Sequence, residues 1–127
     1  MSVIGTYYGN RAYLLHTKKQ YPEAMVYYEK AFAHGNRNAG HLAGYAVLLM
    51  RMGRFPEAIE YFDKALQHKM NAENLNAVKL NRALSVFKGG DRKQGIRDME
   101  KLCEEAPNGR IYQTLGFAYI LEGDLKK

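Results

Sequence analysis

The chain says the same thing several times. Residues 38–70 read as two amphipathic helices separated by a break at Gly53, Arg54, Phe55 and Pro56. Leu42, Tyr45, Ala46, Leu49 and Met50 form one apolar stripe at helical spacing, and Ala58, Ile59, Phe62, Ala65 and Leu66 form a second. Glycine enters the left-handed region cheaply, so Gly53 ends the first helix. Pro56 suits the first turn of the second, where its missing N–H costs nothing. The alanines Ala46 and Ala58 let the two helix axes approach closely. The pattern recurs 34 residues earlier: Ala12, Tyr21, Pro22, Glu23, Ala24, Tyr28 and Ala31 repeat Ala46, Phe55, Pro56, Glu57, Ala58, Phe62 and Ala65. It recurs 37 residues later at Ala83, Gly90, Gly95 and Met99, and 33 further on at Gly116 and Gly123. A period near 34 with helix–turn–helix content specifies a stacked array, because one hairpin cannot bury its own apolar faces.

The repeats resemble the tetratricopeptide repeat (TPR) family, whose pattern is W-x2-L-G-x2-Y, then A-x3-F, then P. Tyr112, Leu115, Gly116 and Tyr119 fill the first part, with Tyr for Trp; Ala58 with Phe62 and Ala24 with Tyr28 fill the second; Pro107 supplies the closing proline. Arg11 and Arg82 stand where the family prefers Leu, and Lys19 replaces the turn glycine of the first repeat. Gly95 replaces the small alanine of the third, at a cost of about 1 kcal/mol in a helix interior. The expected fold is all-α: a right-handed α-solenoid of stacked antiparallel helix hairpins, about three and a half repeats in one domain, 1–127. The repeats fall at about 5–38, 39–72 and 76–109, with a partial one at 109–127. Helices are expected at about 6–18, 22–34, 39–52, 56–69, 73–88, 92–105 and 110–122, with Asn71 or Asn74 as a cap.

Little in the sequence points to chemistry. The one cysteine, Cys103, aligns with Leu66 and reads as a core thiol; no metal-ligand spacing is present, and no cofactor is expected. His34 and His68 occupy equivalent helix ends, too far apart to share a metal. Gly89 and Gly90 lack the Lys-Ser/Thr of a phosphate loop. No catalytic triad can be built from the spacing, so the chain does not read as an enzyme. The net charge is +6, but basic residues are interleaved with acids, as in Arg97, Asp98, Glu100 and Lys101, so a solvated face is expected rather than nucleic-acid binding. No apolar run reaches membrane-spanning length and the start lacks a signal-peptide pattern, which leaves the cytoplasm as the expected setting.

The expected function is a scaffold for protein–protein interaction. The first helix of each hairpin should line the inner surface of the stack. Geometry places Tyr13 and His16, Val47 and Met50, Leu84 and Phe87, and Phe117 and Ile120 on that surface, with Arg51 and Lys88 at its edge and open space beside Gly9, Gly40, Ala43 and Gly44. Such an apolar stripe suits an apolar or amphipathic peptide or helix. The family resemblance also implies a clamp for the acidic C-termini of chaperones, built from Lys, Asn and Arg. Its positions here hold Gly9, Tyr13, Gly44 and Ala77, with only Asn81 retained, so that ligand is not expected. Helix seven is apolar nearly all round and would expose Leu115, Phe117, Ala118, Ile120 or Leu121. Either the array continues, or a second copy covers this helix through Leu115, Phe117, Ile120 and Leu121, giving a homodimer or larger oligomer.

Overall fold

The computed structural model describes residues 2–126, with side chains to Gly123. Seven helices follow one another: α1 (Val3–Thr17), α2 (Tyr21–Ala33), α3 (Ala39–Arg51), α4 (Phe55–Leu66), α5 (Ala72–Lys88), α6 (Arg92–Glu105) and α7 (Gly109–Lys126). No strand occurs among the described residues. Within each hairpin the helices pack closely (α1 on α2, α3 on α4, α5 on α6), and α4 meets α5 as α6 meets α7. The result is an all-α solenoid of three hairpins and one further helix.

Local chemistry sets the helix ends. Asn38, Asn71 and Asp91 accept hydrogen bonds at the starts of α3, α5 and α6 from the amides of His41, Asn74 and Gln94, at 3.2, 2.8 and 3.2 Å. These satisfy first-turn donors that have no partner within the helix. Pro22 and Pro56 sit in the first turns of α2 and α4. Three hairpin turns close alike. Lys19, Gly53 and Gly90 have φ of 62°, 77° and 119°. The next residue's amide then bonds back across the turn: Gln20 to Leu15, Arg54 to Leu49 and Asp91 to Val86. A lysine thus holds the left-handed position that glycine fills in the next two hairpins, at a steric cost that glycine avoids.

Each hairpin buries small residues on both of its helices. Ala12, Ala24, Ala46, Ala58 and Ala83 are buried, as is Gly95. A Cβ on Gly95 would fall 2.6 Å from Cβ of Phe87 and 2.8 Å from its Cα and N. So α5 and α6 cross closer than alanine permits, and Gly95 is a packing requirement there. Two apolar clusters result. One runs from Ala12 to Ala65 and includes Val78; the other includes Leu80, Phe87, Met99, Ile111, Leu115 and Ala118. α5 contributes to both and joins them. Leu115 and Ala118 are therefore covered by the third hairpin, contrary to the expectation that helix seven exposes them, and Leu121 is half-buried on the same cluster.

Gly95→Ala should lower unfolding free energy by about 1–3 kcal/mol through overpacking, although alanine is the better helix former. Urea denaturation followed by circular dichroism measures it. A stabilised variant would mean the α5–α6 crossing is wider than described.

Candidate binding groove

Along the face made by the first helices runs a groove of ≈ 410 Å³ between α1, α3 and α5. Tyr13 forms one wall. Gly40, Ala43, Gly44 and Val47 of α3 form the middle, and Asn74, Ala77 and Asn81 of α5 the far wall, with Met70 beside them and Phe62 and Val78 deeper. Among the described residues no charged side chain lines it. Its size falls in the range of small-ligand and peptide sites, and apolar walls with a few amides are the usual makeup of such a site.

The structure sorts the expected groove residues. Tyr13, 59% exposed, and Val47 line the groove. Met50 and Leu84 are half-buried, each against a core cluster. Phe87 is only 3% exposed, because Gly95 admits α6 onto its backbone and the Arg92 guanidinium lies 5.2 Å from its ring centroid; it is core, not wall. Arg51 stacks 4.9 Å from the Tyr21 centroid and faces a second depression, of ≈ 460 Å³, lined by Pro22, Met25, Leu48 and Met52. Lys88 is exposed. Phe117 and Ile120 project from α7 at 57% and 62% exposure, outside the groove. Beside Gly9 and Gly44 there is no open space: His41 and Asn36 fill the first, and the Tyr28 hydroxyl the second. Met70 and Asn74 are wall residues the spacing did not single out; they belong to the segment that lengthens the step to the third repeat.

Beneath the groove lies a polar seam. The Tyr28 ring is buried, and its hydroxyl lies 3.2 Å from Nδ1 of His16. Asn36, also buried, donates to the Gly5 carbonyl at 2.9 Å and accepts from the Asn38 amide at 2.9 Å. Its amide nitrogen is 3.1 Å from Nδ1 of His41. A nitrogen that already serves the Gly5 carbonyl can also donate to His41, provided that imidazole is neutral. Burial lowers the pKa of His41, and burial followed by the Arg51 charge lowers that of His16. Burial also raises the Tyr28 hydroxyl well above its ordinary range, so the phenol stays protonated. Among the described residues no group of three His, Cys, Asp or Glu side chains could hold a metal, and no helix is long and apolar enough to cross a membrane.

Stacked hairpins with a groove along the first helices define a helical-repeat protein with a ligand-sized channel. A family model described as Tetratricopeptide repeat matches residues 15–81, more than half of the chain, and the chain belongs to that family. No curated protein matches it. Among solved structures it is similar to YrrB, "a TPR protein with an unusual peptide-binding site", at 18% identity and TM-score 0.78, covering 94% of this chain and 60% of that one. It is similar to the first TPR of Spaghetti (RPAP3) bound to HSP90 peptide SRMEEVD, at 16% identity and TM-score 0.75, covering 100% and 97%. It is also similar to the Hsp90 co-chaperone Cns1 from Saccharomyces cerevisiae, at 18% and 0.80, covering 97% of this chain and 40% of that one. This chain therefore spans three-fifths of the YrrB chain and two-fifths of the Cns1 chain. At such identities the likeness is one of fold.

His16 and His41 have folded pKa values below their unfolded ones, so the unfolded chain binds more protons as pH falls through the ordinary imidazole range. Stability should be full above that range and decline below it, before carboxylates titrate. Urea midpoints from pH 7.5 to 5.5 should fall, and less so in His41→Gln. An equal slope in the variant would mean His41 carries no such linkage.

Proposed function

We propose that the chain is a non-enzymatic protein–protein interaction scaffold whose groove holds an apolar or amphipathic segment of another protein. The observation that carries this reading is the uncharged lining: Tyr13, Ala43, Val47, Met70 and Ala77 offer apolar surface, and Asn74 and Asn81 offer amides for a bound backbone. An apolar wall this continuous exceeds what solubility asks of a surface. The reading separates this chain from its structural neighbours. One of them is described with an HSP90 peptide ending in Glu-Val-Asp. A carboxylate-rich tail needs cations to replace its hydration, and this groove supplies none. The lone thiol Cys103 suits a reducing setting such as the cytoplasm.

A second reading, self-association through α7, is favoured by the bare side chains of Tyr112, Phe117, Tyr119 and Ile120 and by the open space around Gly116. Leu115 is buried within the hairpin stack and is not part of that surface. In this reading Phe117 and Ile120 meet a second copy, and Phe117→Lys with Ile120→Lys should shift any dimer seen by light scattering to monomer.

The first reading is tested with peptides selected by display against the chain. Val47→Glu should weaken the selected apolar peptides about tenfold or more, by placing a charge where the ligand is desolvated, and leave helical circular dichroism intact. The peptide SRMEEVD should show no saturable binding by calorimetry. Saturable binding of that peptide, or undiminished capture by Val47→Glu, would overturn the reading.

A further inference from the structure

Among the described residues the hairpins are joined by a recurring contact, and its receiving half is repeated on the outer face of the first one. On the second helix of each hairpin an acidic residue sits at one equivalent position: Glu29, Asp63 and Glu100. Each is engaged by the helix that follows. The Tyr45 hydroxyl donates to Glu29 at 3.1 Å, the Arg82 guanidinium binds Asp63 through two nitrogens, and the Tyr119 hydroxyl donates to Glu100 at 2.6 Å. Three residues past each acid stands an apolar side chain, Phe32, Leu66 or Cys103, half-buried in every case. At the first junction Phe32 packs over the Tyr45–Tyr61 pair, with ring centroids 5.3 and 5.6 Å away.

Arg11 occupies the position of Tyr45 and Arg82, and Tyr27 that of Tyr61. The Arg11 guanidinium lies 5.5 Å from the Tyr27 centroid, and no carboxylate among the described residues pairs with it. Lys30 sits 5.6 and 5.1 Å from the Tyr8 and Tyr27 centroids, adding positive charge to the same aromatic surface. Tyr7, in contact with Tyr8, is exposed. The receiving half of the inter-hairpin contact is thus present, and among the described residues no acid and apolar pair completes it.

We propose that this outer face, with Arg11 at its centre and Tyr8 and Tyr27 beside it, docks an α-helix of another protein that carries an acidic residue followed three positions later by an apolar one. Charge complementarity selects the acid: it meets Arg11 as Asp63 meets Arg82. The apolar side chain lies over Tyr27 as Phe32 lies over Tyr61, and two groups three apart share one helix face. A second copy of this chain fits less well, because the acids of its own stripes are already engaged at the internal junctions. This surface is separate from the groove between α1, α3 and α5.

The probe is a helix-stabilised peptide presenting Asp and Leu three residues apart on an alanine–lysine–glutamine frame, titrated into the isotope-labelled chain and followed by NMR. Expected are saturable shifts of the Arg11 Nε–H and the Tyr8 and Tyr27 ring signals, with the Tyr13 and Val47 signals unmoved. Asp→Asn in the peptide and Arg11→Ala in the chain should each weaken binding by about fivefold, the upper range for one exposed ion pair. Absence of saturable shifts at millimolar peptide, shifts confined to the groove or to α7, or indifference to both substitutions would overturn the proposal. So would a concentration-dependent dimer that Arg11→Ala dissociates, because a second copy would then be the occupant.

Discussion

The closeness of the two helices in each hairpin governs the rest of the molecule. Ala12, Ala24, Ala46, Ala58 and Ala83 are buried where small residues let helix axes come near, and Gly95 lies so close to the Phe87 backbone that even a Cβ there would displace one helix. Because the axes are near, the larger side chains are driven outward to the junctions between hairpins. Tyr28, Phe32, Tyr45 and Tyr61 meet there, edge to face or stacked, within 4.8–6.3 Å. The stack is therefore built from thin hairpins and thick junctions. Its surfaces follow: a groove where first helices line up, and an aromatic face on the outer side of the first hairpin.

The close α5–α6 crossing at Gly95 shapes the groove. His16, Met50 and Phe87 hold one equivalent position, yet each meets a different fate. His16 hydrogen-bonds Tyr28, Met50 packs half-buried on the first cluster, and Phe87 is drawn into the second because Gly95 lets α6 close over it. The groove therefore does not run the length of the stack. It is confined to the stretch between Tyr13 and Asn81, where the small residues Gly40 and Ala43 of α3 leave room.

Periodicity made the architecture readable. Small residues, turn residues and aromatics recur together, and helix packing leaves few other ways to satisfy them. Helix ends came within a few residues, since Pro22, Pro56, Gly53 and Gly90 each have a narrow backbone preference. The site was less legible, for specific reasons. Repeat equivalence assigned Phe87 to the surface, but only the Gly95 contact reveals that it is core. Gly9 and Gly44 looked like vacant space, and their neighbours His41, Asn36 and Tyr28 come from other helices at distances the sequence does not encode. Met70 and Asn74 reach the groove through an insertion that breaks the period. Leu115 and Ala118 seemed destined for solvent, yet the third hairpin buries them.

No charged side chain among the described residues lines the groove, so ionic strength should leave its ligand in place. The affinity of a groove-bound peptide, measured by fluorescence anisotropy from about 50 to 500 mM salt, should change by less than about twofold, since screening acts on charge pairs and an apolar contact has none to screen. A loss of tenfold or more across that range would mean that charged groups hold the ligand, and the uncharged groove between α1, α3 and α5 would not be the site.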